Sequence, residues 1–267
     1  MATRSAHTDT HHHHGDHDHP EHHHARICAA CTTRAPVAAA ACPGCTRPLP
    51  VDPLATYFDL LYPPPSTPSS SGPGSDGNEE SPLRAAPTAA PLWLCDLADA
   101  RRQFLSLQRA IHPDKYAGGD DGAAKSMAEG QSAVVNRAHT TLRDALLRAE
   151  YLLDLLGIPL LESSAGSPAA LADPQFLAMV MDTREAIDDA ETLSDLDAVS
   201  DDIAGMRIQA MRDLGAAFAL LPNPLAYPKP KVTRTSPGAE AARGAVGKLR
   251  YLKNMSAAVA ERRAELE

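Results

Sequence analysis

Two groups of residues in this chain of 267 residues have types and spacings that can do chemistry. One is Ile111-His112-Pro113-Asp114-Lys115, where a rigid proline is flanked by an imidazole and a carboxylate. The other is a pair of CxxC knuckles, Cys28-Ala-Ala-Cys31 and Cys42-Pro-Gly-Cys45, ten residues apart. Four thiolates at that spacing can close on one tetrahedral zinc ion, with Zn–S distances of about 2.3 Å. The Pro-Gly of the second pair suits the tight turn that aims two sulfurs at one ion. All four ligand positions would be filled, so the ion would be structural and not catalytic. A module over 26–50 has no core of its own, so metal would have to fold it. The alternatives are two unrelated thiol pairs or a redox CxxC. A redox pair normally opens a helix beside a strand, and no such pattern surrounds these. The fifth cysteine, Cys95, has no paired base nearby and reads as a packed or capping residue.

The elements around the His-Pro-Asp run must position it. Leu97, Ala100, Phe104, Leu107 and Ile111 are spaced 3, 4, 3 and 4 apart, one apolar stripe of a helix over 96–110. Arg102 and Arg109 lie almost opposite that stripe, with Arg101 to one side; alone they would read as an ordinary solvated face. A second arm over 123–143 has Met127, Val134, Ala138 and Leu142 on its buried side. A further helix over 144–156 carries Leu146, Leu147, Tyr151 and Leu155, and Gly157 then Pro159 stop it. A short first helix spans 52–62. Residues 63–91, rich in Pro, Ser and Gly, read as a flexible insertion.

Three more helices follow, over 173–191, 195–220 and 239–266, with a proline-rich basic loop over 222–237. In the first, Phe176, Val180, Thr183 and Ile187 make a sufficient core face. Leu177, Met181 and Glu185 share another, with Ala178 and Asp182 beside them. Apolar groups rimmed by charge point to a protein-binding patch, against the plainer reading of a broader core face. The second helix repeats Leu196, Val199, Ile203, Met206, Ala210, Leu214 and Ala217. In the third, Val246, Leu249 and Leu252 point inward and Tyr251 lies nearly opposite Leu249. Three antiparallel helices make a coherent bundle.

Composition narrows the function. Net charge is −9, which argues against nonspecific nucleic-acid binding. No apolar run approaches the ~20 residues of a membrane span. Four of the five cysteines in CxxC pairs point to metal in a reducing compartment before disulfides. Residues 1–25 hold ten of the twelve histidines and read as a disordered tail, either a weak divalent-metal binder or a biased segment without function. That segment has one arginine against several acids, a poor mitochondrial transit peptide.

A helical hairpin closed by His-Pro-Asp resembles a J-domain. The remainder resembles one J-protein family. The run Gln131-Ser132-Ala133-Val134-Val135-Asn136-Arg137-Ala138, the run 147–157 (Leu-Arg-Ala-Glu-Tyr-Leu-Leu-Asp-Leu-Leu-Gly), Asp173-Pro174-Gln175-Phe176-Leu177 and Lys248-Leu249-Arg250-Tyr251-Leu252 closely resemble the HscB family. These are the dedicated J-proteins of iron–sulfur cluster biogenesis. The two CxxC pairs just before Asp52-Pro53 resemble the animal-type members, which carry a zinc module there. The resemblance implies an all-α fold: a J-domain over 51–160 with its insertion at 63–91, and a C-terminal three-helix bundle over 173–267, preceded by the zinc module over 26–50.

It implies that His112, Pro113 and Asp114, with Arg101, Arg102 and Arg109, dock on a DnaK-type ATPase chaperone and stimulate hydrolysis there. It also implies that Leu177, Ala178, Met181, Asp182, Glu185 and Tyr251 bind an IscU-type scaffold. Cys28, Cys31, Cys42 and Cys45 would hold one structural Zn2+. Ala178, Asp182 and Tyr251 depart from the family's usual larger apolar residue, longer acid and Phe, changes that could weaken the contact or alter partner choice. No P-loop or glycine-rich fingerprint is present, so the protein is expected to bind no nucleotide and to be no enzyme. The implied compartment is the mitochondrial matrix, with the cytoplasm as the alternative; homodimerisation of the bundle is left open. The rival readings are a generic J-domain co-chaperone with another client, a cysteine-based zinc or redox protein, and a zinc-module nucleic-acid binder.

Overall fold

The computed structural model describes residues 26–36, 39–53, 55–63, 82–116, 122–160 and 173–267. The tail over 1–25 and residues 64–81 of the insertion lie outside the described residues. The protein is a helical hairpin joined to a three-helix bundle, with a small tetracysteine module in front.

The module begins with a two-stranded antiparallel hairpin, β1 (Arg26–Ile27) and β2 (Arg34–Ala35). Helix α1 is Tyr57–Leu61, shorter than expected because Thr56 and Asp59 close a reciprocal capping box that starts the helix there. Short helices α2 (Pro82–Ala85) and α3 (Ala90–Trp93) lead to the hairpin arms, α4 (Leu97–Ile111) and α5 (Gly122–Arg143). Helix α6 is Ala145–Leu155, followed by α7 (Pro174–Asp188), α8 (Leu193–Ala219) and α9 (Pro237–Leu266). Asp96, Asp144, Asp173 and Ser236 cap the N-termini of α4, α6, α7 and α9 with their side chains, and Thr192 caps α8. Gly157 stops α6 as expected: its φ is +67°, with Gly157 N–H donating to Asp154 O and Ile158 N–H to Leu153 O, both at 2.9 Å.

The stripe of α4 holds except at its start, where Leu97 is exposed. Ala100, Leu107 and Ile111 are buried and Phe104 is half-buried. The buried seam of α5 runs Ala124, Ala128, Gln131, Val135, Ala138, Leu142, so two expected positions are corrected. Met127 and Val134 flank the seam, half-buried. Small alanines and a glutamine line the true seam because α5 lies close against its neighbours, and the bulkier flanking residues drew the expected stripe off line. In α6 the buried set is Ala145, Arg148, Ala149, Leu152 and Leu153, while Leu146, Leu147, Tyr151 and Leu155 are half-buried. This helix is covered on more than one side, so no single stripe describes it.

In the bundle, Arg263 meets Asp197 at 2.5 Å, so the end of α9 lies beside the start of α8. Lys248 meets Asp173 at 2.7 Å and Arg262 donates to Ala190 O at 3.1 Å, so α7 runs alongside the second half of α9 in the same direction. Each helix is thus antiparallel to the one before it. Phe176, Val180, Thr183 and Ile187 are buried, as are Leu196, Val199, Ile203, Ala210, Leu214, Ala217, Val246, Leu249 and Leu252.

Hairpin and bundle share one continuous cluster of buried side chains. Trp93 joins them: its ring lies 5.6 Å from that of Phe218 and the Arg148 guanidinium sits 4.7 Å from its centroid. Arg250 and Glu150 tie α9 to α6 at 2.7 Å. The stretch expected to be flexible as far as 91 is folded from Pro82 onward. Asn223, 1% exposed, donates through Nδ2 to the carbonyls of Leu83, Arg84 and Ala86 at 2.7, 3.0 and 2.8 Å. Its Oδ1 accepts from Leu225 N–H at 2.9 Å. One buried amide thus supplies the partners that this proline-rich backbone could not find within itself. Replacing Asn223 with Ala strands buried carbonyls and should cost about 2–3 kcal/mol in a urea titration, with little change in helical signal before the transition.

Candidate functional site

The two knuckles fold alike. Cys28 N–H donates to Thr33 O at 3.0 Å and Thr32 N–H to Cys28 O at 2.8 Å; Cys42 N–H donates to Arg47 O at 2.8 Å and Thr46 N–H to Cys42 O at 2.9 Å. Thr32 and Thr46 both take φ +59°, a left-handed conformation that costs a β-branched residue energy and that the closed turn enforces. The thiol atoms all lie within 4.8 Å of one another, with Cys28–Cys45 at 3.6 Å and Cys31–Cys42 at 3.5 Å. A tetrahedral thiolate site with ~2.3 Å bonds has edges of about 3.8 Å, so these four residues fit a metal ion.

Electrostatics point the same way. Backbone amides of Ala30 and Cys31 lower the Cys28 thiol, and the Thr33 hydroxyl, 3.2 Å from Cys31 Sγ, helps hold Cys31 down at about 6. The Arg47 amide favours the Cys45 thiolate, yet the neighbouring sulfurs, Cys31 first, push that thiol up to about 12. Four thiols this close cannot all ionise without a cation among them.

At the hairpin tip, His112 leaves α4 with extended backbone and Pro113–Tyr116 form one 3-10 turn. His112 O accepts from Lys115 N–H at 3.0 Å, and His112 Nδ1 accepts from Asp114 N–H at 3.3 Å. The Asp114 carboxylate lies 3.5 Å from the same nitrogen. Both side chains are exposed, so the turn presents an imidazole and a carboxylate side by side to solvent. Arg101, Arg102 and Arg109 are exposed on α4, and Arg102 is paired with Asp99 one turn back. Such a pair between exposed residues contributes little stability.

On the bundle, Leu177 and Met181 are 37% and 64% exposed, with Ala178, Asp182 and Glu185 exposed beside them. Tyr251, expected off the core stripe, is half-buried: its ring packs edge-on against Phe176 at 6.2 Å, which sets it at the junction of α9 and α7. Cys95 is half-buried near Tyr62, and burial pushes its thiol up, as suits a packed residue.

Two polar residues that sequence reasoning passed over connect these parts. Gln131, 2% exposed, donates to Leu49 O and Pro50 O, both at 2.8 Å. The Tyr116 hydroxyl lies 3.0 Å from Thr46 O and 3.2 Å from Ala110 O. A glutamine at a seam position of α5 was the one available sign.

A His-Pro-Asp turn between two packed helices is thus set on a three-helix C-terminal bundle. Residues 172–260 match the family described as the HSCB C-terminal oligomerisation domain. Over 112 residues the chain is 38% identical to the co-chaperone protein HscB homolog of Shewanella woodyi, a match covering 42% of this chain. The chain spans 62% of that relative's length. Its fold is similar to that of human co-chaperone protein HscB, at TM-score 0.64 and 21% identity over 90% of this chain and all of that one. It is also similar to that of chaperone HscB from Vibrio cholerae, at TM-score 0.55 and 24% identity over 79% of this chain and all of that one. Residues 172–260 thus form an HscB-type C-terminal domain, and the chain as a whole is similar in fold to HscB co-chaperones.

A methyl group added at Gly44 would crowd the Thr33 side chain, whose Cβ and Cγ2 it would approach to 3.2 and 3.3 Å. Thr33 cannot yield without disturbing Cys31. Gly44→Ala should therefore lower metal affinity about tenfold or more in a competition titration with a chromophoric chelator, while the helical content stays unchanged.

Proposed function

We propose that this protein is a co-chaperone of iron–sulfur cluster assembly. Its bundle holds an IscU-type scaffold through Leu177, Ala178, Met181, Asp182, Glu185 and Tyr251. Its hairpin docks on a DnaK-type chaperone through His112, Pro113 and Asp114 and stimulates ATP hydrolysis there, which helps the chaperone lock onto the scaffold. The protein binds no nucleotide and is no enzyme itself. The observation that carries this reading is the exposed His112 and Asp114 of the turn on a hairpin that shares one core with a bundle face where Leu177 and Met181 are exposed beside acids.

The physics of the two surfaces differs. The basic face of α4 favours encounter with an acidic chaperone surface and sets register, a rate effect that salt weakens. The bundle face offers apolar anchors with an acidic rim, where affinity concentrates in a few side chains. Because hairpin and bundle share one core, both partners are held at fixed separation, and binding one raises the effective concentration of the other. The four cysteines hold one Zn2+ that supplies folding energy to the module and no chemistry. Among the described residues no helix is long and apolar enough to cross a membrane.

Single-turnover ATPase assays with a DnaK-type chaperone test the first half. His112→Gln should abolish stimulation and leave scaffold affinity within about twofold. Titration calorimetry with an IscU-type scaffold tests the second. Leu177→Ala/Met181→Ala/Tyr251→Ala should weaken binding by about 100-fold or more, at ~1–2 kcal/mol per anchor, while ATPase stimulation persists. Stimulation without scaffold binding by the intact protein would leave a J-domain co-chaperone with a different client.

A further inference from the structure

The reading above leaves the tetracysteine module without a task beyond its own folding. The hydrogen bonds around it supply one. The module touches both arms of the J hairpin. On α5, the buried amide of Gln131 holds Leu49 O and Pro50 O, the segment by which the chain leaves the second knuckle. On the α4 side, contact is made through Tyr116, two residues beyond Asp114 in the His-Pro-Asp turn.

The Tyr116 hydroxyl has one proton and two carbonyl neighbours. Ala110 O belongs to the last turn of α4, where carbonyls lose their helical partners. In a continued helix it would accept from Asp114 N–H, but that amide donates to His112 Nδ1 instead. Pro113 has no N–H to offer Arg109 O. Tyr116 therefore replaces part of what the turn removes from α4. Thr46 O, the other neighbour, follows Cys45 directly. Its peptide is oriented by the closed knuckle: Thr46 sits at φ +59°, its N–H bonded to Cys42 O at 2.9 Å and its hydroxyl to Cys45 O at 2.7 Å. A left-handed threonine holds that geometry only while the turn is closed.

We propose that Tyr116 is a positioning residue through which the second knuckle sets the His-Pro-Asp turn, so that metal held by Cys42 and Cys45 governs how the turn is presented. The coupling stands on this geometry alone; only its consequence at the chaperone rests on the function proposed above.

Hydrogen exchange on the full chain reads the coupling directly. Lys115 N–H, bonded to His112 O, reports on the turn, and the N–H of the fully buried Leu214 in α8 reports on the body of the protein. Removing metal with a chelator should speed Lys115 exchange about fivefold, the equivalent of one lost hydrogen bond, with Leu214 unchanged. Tyr116→Phe, which deletes only the hydroxyl, should show the faster Lys115 exchange already when loaded with Zn2+. It should retain its metal affinity and respond little further to chelation. Lys115 exchange that ignores the metal, or a Tyr116→Phe variant indistinguishable from the parent, overturns the proposal. So does an equal rise at Leu214, which would reduce the effect to general unfolding.

In the ATPase assay, Tyr116→Phe and the metal-free parent should both stimulate several-fold less than the loaded parent while binding scaffold equally well. Full stimulation by Tyr116→Phe overturns the functional consequence. A parent that stimulates nothing sinks the docking role instead, and the exchange result still decides the coupling.

Discussion

The packing of Trp93 between Arg148 and Phe218 is the contact on which the rest of the architecture depends. Helix α3 is a single turn and could not fold alone. Its tryptophan meets α6 on one side and α8 on the other, so hairpin and bundle lose their independence. An aromatic ring of this size removes a large apolar area from water, and a guanidinium over its face adds a directed electrostatic contact. The chain contains one tryptophan, and it stands at this junction. Asn223 and the Arg250–Glu150 pair then fix the relative placement that the ring allows. With that junction rigid, the His-Pro-Asp turn and the exposed face of α7 belong to one body rather than to two modules on a string.

The metal module follows the opposite logic. Apart from the cysteines, its buried apolar residues are few, Ala35 and Leu49 in its own cluster, too few to offset the entropy of ordering so many residues. Closure has to come from the four sulfurs, which repel as thiolates until a cation joins them. The module is then held against the hairpin by hydrogen bonds from Gln131 and Tyr116, directional contacts that require the knuckles to be in place. Burial welds the bundle to the hairpin, whereas of the module's buried residues Ala40 joins that core, and directional hydrogen bonds supply the rest of its attachment.

Much of this was legible residue by residue. The stripe of α4 and the core faces of α7, α8 and α9 appear in the chain as helical repeats of large apolar groups, and capping residues stand within a residue or two of where the helices start. Leu177 and Met181 stood out because Phe176, Val180, Thr183 and Ile187 already sufficed as a core face, and the structure leaves both exposed. The four cysteines announced their cluster by spacing alone. The seam of α5 was misplaced because close helix packing selects small residues, and an alanine carries little hydrophobic signal. Periodicity alone sets Tyr251 off the core stripe, because a helical wheel knows nothing of the neighbouring helix on which its edge rests.

What the sequence determined by itself was local: helix periodicity, caps, the proline-bound turn and a ligand set, each specified by residues within a few positions of one another. Only the tertiary structure decided what crosses the chain. It folded 82–91 against a loop about 140 residues away through Asn223, merged two expected domains into one core through Trp93, and brought the knuckle at Thr46 to the turn at Tyr116. Those contacts depend on partners distant in sequence, and a buried amide or a single hydroxyl leaves no periodic trace from which such a partner could be read.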